Sequence, residues 1–201
     1  MLFETLDQQI KNYADWVLRR QRGIPNNRRL FVVACMDERL PVEEALGIDK
    51  GDAHIFRNAG GLVTDDVIRS AMLTTNFFGT EEIIIVNHTE CGMMSAKTEA
   101  LVQAMKDKVG NLEQVALDPS LPELTLSDPN AFGRWIKMFD DVDEISEAQV
   151  KFLRNHPFIP AHVTIHSYVY EVETARLRKP HERLAEHVND ARTMIEHAYL
   201  A

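Results

Sequence analysis

The chain is short of cysteine, of basic charge and of long apolar runs, and each shortage excludes a class of protein. Two cysteines in 201 residues are too few for a disulfide framework. One bridge between Cys35 and Cys91 is the most they allow, and a cytoplasmic setting would keep both as thiols. Lys and Arg number 22 against 31 Asp and Glu, a net charge of −9, so no nucleic-acid partner is expected: phosphate binding needs a clustered basic surface. The one basic run, Arg19, Arg20, Arg22, Arg28 and Arg29, is interrupted by Gly23 and Pro25 and reads as a solvated helix end or a subunit contact. Apolar runs such as Leu30 to Met36 and Ile83 to Val86 are far too short to cross a membrane or form a signal-peptide core. A cytoplasmic protein with no membrane partner is expected. Internal repeats and low-complexity tracts are also lacking.

What is present is ordinary globular material, 45% hydrophobic and 26% charged, enough to fill a core. The length fits one domain spanning 1–201. Phe3, Leu6, Ile10, Tyr13, Trp16 and Val17 recur near the helical period, predicting an amphipathic N-terminal helix within 1–22. Turn formers from Gly23 to Asn27 end it. Leu30–Cys35 then reads as a buried strand, 41–46 as helical, 53–57 as a second strand and 65–78 as a helix opened by Asp65 and Asp66. Ile83–Val86 is the clearest central strand, and a helix from about Ala96 to Val109 follows. The stretch 110–143, cut by Pro119, Pro122 and Pro129, reads as an insertion with only 132–139 helical. A short helix near 147–154, a final strand over 163–172 and a charged C-terminal helix in 181–201 complete the pattern. Strands alternating with helices predict an α/β fold, with helices flanking a mostly parallel central sheet of four or five strands.

The chemistry-bearing residues gather at strand ends. Cys35 closes the first strand and His88 follows the third, and in open α/β sheets ligands bind beyond those carboxyl ends. Cys91 lies three positions after His88 in His88-Thr89-Glu90-Cys91-Gly92, so one loop can deliver both side chains to one ion. Thiolate and imidazole together favour zinc over magnesium or calcium. Three protein ligands leave a fourth position for water, the pattern of a catalytic site. The competing reading is two small buried thiols and a satisfied core histidine. Asp37 and Arg39, two residues apart, can pair through a bidentate fork that keeps Asp37 ionised. Asp37 would then accept a hydrogen bond from the water or become a fourth ligand. A plain surface ion pair is the alternative.

Cys35-Met36-Asp37-Glu38-Arg39, Arg57-Asn58-Ala59-Gly60-Gly61 and His88-Thr89-Glu90-Cys91-Gly92-Met93 resemble, in order and spacing, the β-class carbonic anhydrase family. Gly23 to Leu30, Thr74 to Thr80, Asn155-His156-Pro157 and Tyr168 to Thr174 look most like its carbon disulfide and carbonyl sulfide hydrolase branch. The resemblance implies a β-carbonic-anhydrase-like fold, zinc on Cys35, His88 and Cys91, and an Asp37–Arg39 catalytic dyad. It also implies an obligate homodimer, or a higher homo-oligomer, in which the first helix embraces the neighbour.

A zinc site of this kind lowers the pKa of its water, and the resulting hydroxide attacks the carbon of a small linear substrate. The expected reaction is hydrolysis of carbon disulfide or carbonyl sulfide to hydrogen sulfide. The alternatives are carbon dioxide hydration by the same residues and a non-catalytic zinc regulator with Asp37 on the metal. Carbon disulfide offers almost no hydrogen bonding, so selection must come from an apolar, narrow route. Phe77, Phe78, Met93, Phe132, Trp135, Phe139, Phe152 and Phe158 are candidate linings, or core filling. His54 is a candidate proton shuttle or a structural histidine.

Overall fold

The computed structural model describes residues 25–109, 116–118, 121–125 and 129–183. The helix expected over 1–22, and the chain beyond 183, lie outside the described residues.

Strand β1 (Leu30–Cys35) is buried at every position. It pairs in parallel with β2 (Ala53–Asn58) on one side and β3 (Glu82–His88) on the other. Next come β6 (Thr164–Glu171), parallel to β3, and the edge strand β7 (Arg176–Arg178), antiparallel to β6. The order β2-β1-β3-β6-β7 is the mostly parallel sheet that the alternating pattern predicts. The strand expected last is followed by β7, a segment too short and too charged to stand out in the sequence.

Side-chain alternation along each strand supplies two cores, one on each face of the sheet. From β1, Phe31 and Val33 join Ile83 and Ile85 of β3 and Ile165 of β6 on one face. Leu30, Val32, Ala34 and Cys35 join Val86 and Val169 in the cluster on the other. Because both faces are covered, these strands read as continuous apolar runs.

Helices fill the crossovers: α1 (Val42–Leu46), α2 (Asp65–Asn76), α3 (Gly92–Ser95), α4 (Thr98–Val109), α5 (Pro129–Ile136) and α6 (Val142–Arg154). Helix α6 starts five residues earlier than its apolar pattern suggests. Asp141 caps it, accepting hydrogen bonds from the Asp143 and Glu144 backbone N–H groups at 2.7 and 3.0 Å. The region read as an insertion with only 132–139 helical holds an antiparallel pair, β4 (Ala116–Asp118) and β5 (Leu121–Thr125), followed by α5, which starts and ends three residues before the expected helix. Pro122 sits near the start of its strand, a tolerated position. The helix expected from 181 does not begin there: His181 has φ +61° and 181–183 are turn and irregular chain.

Candidate metal centre

Parallel pairing carries Cys35 and His88 to the same pole of the sheet. Past His88 the chain turns through Glu90, whose φ of +52° is left-handed, and this reversal brings Cys91 back toward the strand ends. Non-glycine residues in that region carry local strain and persist only where surrounding contacts enforce them. Here Thr89 is tied to β6 by its N–H to the Tyr170 carbonyl at 3.0 Å, by its hydroxyl to Glu173 at 2.6 Å and by the Val172 N–H at 3.0 Å.

The result is three ligand atoms, from Cys35, His88 and Cys91, all within 4.8 Å of one another and all buried. The two sulfurs stand 4.0 Å apart. Two thiolates about 2.3 Å from one tetrahedral ion lie about 3.8 Å from each other, so the spacing already fits a metal. The imidazole supplies the sharper test. His88 Nδ1 lies 2.8 Å from the Thr89 carbonyl, to which it donates, and that leaves Nε2 as the atom with the free lone pair. Nε2 is fully buried and, alone among the buried side-chain nitrogens and oxygens of the described residues, has no hydrogen-bond partner. A buried polar atom without a partner is costly. A metal ion between the two sulfurs would remove that cost, and the Nδ1 contact matches the outer hydrogen bond that orients metal-binding histidines.

Asp37 and Arg39 close the open side. Asp37 Oδ1 accepts from Arg39 Nε and from the Arg39 backbone N–H, both at 3.0 Å, and Oδ2 accepts from Nη2 at 2.9 Å. The chain turns tightly here, the Leu40 N–H bonding the Asp37 carbonyl at 3.2 Å, and the expected fork forms. Asp37 Oδ2 ends 3.7 Å from His88 Nε2, beside the space between the three ligand atoms.

Negative charge gathers on Cys35 and Asp37 beside the imidazole. The Cys91 hydrogen bond lowers the Cys35 thiol to about 4, against burial and with help from His88. The same contact, with burial, pushes Cys91 well up. Burial opposes protonation of His88, yet the negative charges of Cys35 and Asp37 beside it outweigh burial and raise its pKa. Arg39 holds the Asp37 carboxyl far below the usual carboxylate range.

The other expectations divide. Phe139 is buried in the same apolar cluster as Cys35 and Cys91, with Met93 packed against it. Phe132 is buried and stacks 6.0 Å from the half-exposed Trp135. Phe77, Phe78 and Phe158 lie instead near the amino ends of the strands: Phe77 and Phe78 precede β3, and Asn76 donates to the Phe158 carbonyl at 2.9 Å. Phe152 joins them through His156, which stacks on both Phe152 and Phe158. A strand of six or seven residues spans about 20 Å, so these four do not line the centre. His54 is at that pole too, its Nδ1 2.8 Å from Thr74 Oγ1, which removes it as a shuttle to the metal position.

Sequence reasoning passed over Arg57 and Glu90. Arg57 bonds the backbone carbonyls of Cys35 and Asp37 at 2.9 and 2.6 Å, bracing the loop after β1. Glu90 takes the far edge of Arg39 through Oε2 at 3.0 Å and its own carbonyl at 3.2 Å. Arg39 thereby joins the two loops that carry the thiols. An arginine ending a half-buried strand and an acid between two metal-type ligands were the available signals.

A parallel sheet whose carboxyl ends bring two thiols and an imidazole around one point defines an α/β protein with a site that could hold a metal ion. The carbonic anhydrase family model matches residues 30–177, and the chain belongs to that family. A carbon disulfide hydrolase of Acidithiobacillus thiooxidans is 62% identical over 195 residues, covering 96% of this chain and 98% of that one. Beta-carbonic anhydrase 1 of Mycobacterium tuberculosis (strain ATCC 25618 / H37Rv) is 33% identical over 175 residues, 86% of this chain and 96% of its own length. Among solved structures, the apo form of a carbon disulfide hydrolase superposes with a TM-score of 0.76 at 50% identity, covering 93% of this chain and 95% of the other. No helix among the described residues is long and apolar enough to cross a membrane.

Proposed function

We propose that the protein is a zinc-dependent hydrolase that converts carbon disulfide, carbonyl sulfide or both to hydrogen sulfide. The observation that carries the metal half of this reading is the partnerless, fully buried His88 Nε2 facing two sulfurs 4.0 Å apart. The substrate half is supported by near full-length similarity to carbon disulfide hydrolases at about twice the identity found with a carbonic anhydrase.

Cys35, His88 and Cys91 would hold the ion. Bound there, zinc supplies Lewis acidity, polarising a water toward loss of its proton near neutral pH and stabilising the anion that follows. Asp37, ionised in the grip of Arg39, accepts a hydrogen bond from the attacking water and orients its lone pair toward substrate carbon. Leu40, Leu62 and Phe139, buried in the cluster around Cys35 and Cys91, keep bulk water from that side. Each turnover adds one water: carbon disulfide yields carbonyl sulfide and hydrogen sulfide, and carbonyl sulfide yields carbon dioxide and hydrogen sulfide. A cytoplasmic homodimer or larger homo-oligomer fits this reading. The half-buried edge strand β2 offers a face for a second copy.

Carbon dioxide hydration is the second reading, favoured by family membership and served by the same residues. A permanently closed regulator is disfavoured because both Asp37 oxygens are engaged by Arg39. Assay of zinc-loaded protein for hydrogen sulfide release from carbon disulfide and carbonyl sulfide, beside carbon dioxide hydration, separates the three. Hydrogen sulfide release at the higher kcat/KM supports the proposal. Hydration without sulfide release gives carbonic anhydrase, and bound zinc without any turnover from neutral to alkaline pH gives the regulator.

A further inference from the structure

Behind the metal centre lies a buried polar network made of Asn87, Ser146 and Gln149. Asn87 ends the β-branched run of β3 and is fully buried, an expensive place for an amide unless every polar atom is satisfied. Its carbonyl Oδ1 accepts from Ser146 Oγ at 2.7 Å and from Gln149 Nε2 at 3.3 Å. Its amide Nδ2 donates to the Gly60 and Gly61 carbonyls at 2.7 and 3.2 Å. Gln149 Nε2 also approaches the Gly61 carbonyl at 3.4 Å, and Gln149 Oε1 accepts from the Val63 N–H. Ser146 and Gln149, three apart on α6, present these groups from one helix face.

The network sits where the sheet itself stops holding the ligand strands together. The β1–β3 ladder ends at Ala34↔Val86, one residue short of Cys35 and two short of His88. Past that point β1 stays paired with β2 through Cys35↔Asn58, and β3 with β6 through His88↔Tyr170. Between the parting strands lies the Gly60–Gly61 turn. A Cβ on Gly61, whose φ is +61°, would stand 2.7 Å from the Cys35 nitrogen and 2.9 Å from the Val86 carbonyl. The turn therefore rests directly on both ligand strands, and among the described residues the side chains of Asn87 and Gln149 fasten its carbonyls.

We propose that Asn87, Ser146 and Gln149 are positioning residues that set the separation of Cys35 from His88 and Cys91, and with it the coordination geometry of the metal. This rests on the metal-centre half of the proposed function and is independent of the substrate. Asn87 faces away from the ion, by strand alternation from His88, so its effect passes through the Gly60–Gly61 turn to the Cys35 backbone.

The experiment compares Gln149→Met, Ser146→Ala and Asn87→Leu with Val150→Ala, a neighbouring α6 substitution whose side chain packs in the other core. Each protein is checked for folding by thermal melting, loaded with cobalt(II), and its visible and thiolate charge-transfer bands recorded. Zinc affinity is measured by chelator competition. The expected result is displaced cobalt bands and about tenfold or more weaker zinc binding in Gln149→Met, the range typical of outer-layer partners. Val150→Ala should show unchanged bands and affinity at a comparable loss of melting temperature. Should Asn87→Leu fail to fold, Gln149→Met and Ser146→Ala still decide. Wild-type bands and affinity in folded Gln149→Met would overturn the proposal. Failure of the wild-type chain to bind cobalt through thiolates would overturn the metal reading beneath it, whereas inactivity on carbon disulfide alone would leave this inference standing.

Discussion

Asp37 Oδ2 stands 3.7 Å from His88 Nε2 while Arg39 holds both oxygens of the same carboxylate. The carboxylate is thus beside the metal position with both oxygens tied to Arg39 and acceptor capacity left only on Oδ2, which suits a group that orients water better than one that binds the ion. Asp37→Ala is expected to keep one zinc per chain and lose about a hundredfold or more in kcat, the usual contribution of a positioned acid or base. Loss of zinc from this variant would show that Asp37 is itself a ligand. Wild-type rates would reduce the pair to structure.

The three ligands make a different prediction. Cys35→Ser, His88→Ala and Cys91→Ser each remove one of three protein donors from a site that needs all of them. Each should abolish the tightly bound zinc, about one per chain in the wild type, as read by atomic absorption after desalting. Full occupancy in all three would remove the foundation of the proposed function.

His54 carries the pH dependence that the fold itself predicts. Burial lowers its pKa from the ordinary 6.5, because the ring is packed against Thr74, which in turn meets Thr80 at 2.6 Å. The folded state therefore takes up a proton less readily than the unfolded chain. The stability attached to the neutral ring is complete above pH 6.5 and is lost as pH falls through the folded value. Denaturant titrations at pH 7 and pH 5 should show a fall in stability for the wild type and a smaller fall for His54→Asn, which keeps a polar atom near Thr74. Equal falls in the two proteins would contradict this account.

Much of this was legible in the sequence, for physical reasons that differ between elements. β1 and β3 announce themselves because strands buried on both faces must be apolar throughout, and Cys35 and His88 stand at their ends. The Asp37–Arg39 fork follows from two complementary groups two residues apart, whatever the backbone between them. What could not be read was tertiary. Asn87, Ser146 and Gln149 look like unremarkable polar residues until the sheet and α6 are brought together, and Gly61 declares its role only when the Cys35 backbone is found against it. Phe77, Phe152 and Phe158 misled because aromatic character says nothing about which pole of the sheet a residue occupies.

Selectivity is the property that the zinc-type ligands cannot supply, since they would serve carbon dioxide and carbon disulfide alike. It must come from the apolar surroundings, and the structure narrows the candidates. Phe139 packs in the cluster that encloses Cys35 and Cys91, and its N–H points to the Met93 carbonyl at 3.5 Å. Trp135 is 42% exposed on α5 and leans on buried Phe132, and neither belongs to that cluster. If the segment carrying them restricts access to small apolar molecules, Phe139→Ala and Trp135→Ala should change the ratio of carbon disulfide to carbon dioxide turnover at constant zinc content. Phe139, nearer the ligands, should have the larger effect. Truncating a buried Phe costs roughly 3–5 kcal/mol of stability, so each variant is compared at a temperature where melting curves show it folded. An unchanged ratio in folded protein would count against an access filter here and move carbon dioxide hydration to first place, while equal losses on both substrates would point to damaged packing alone.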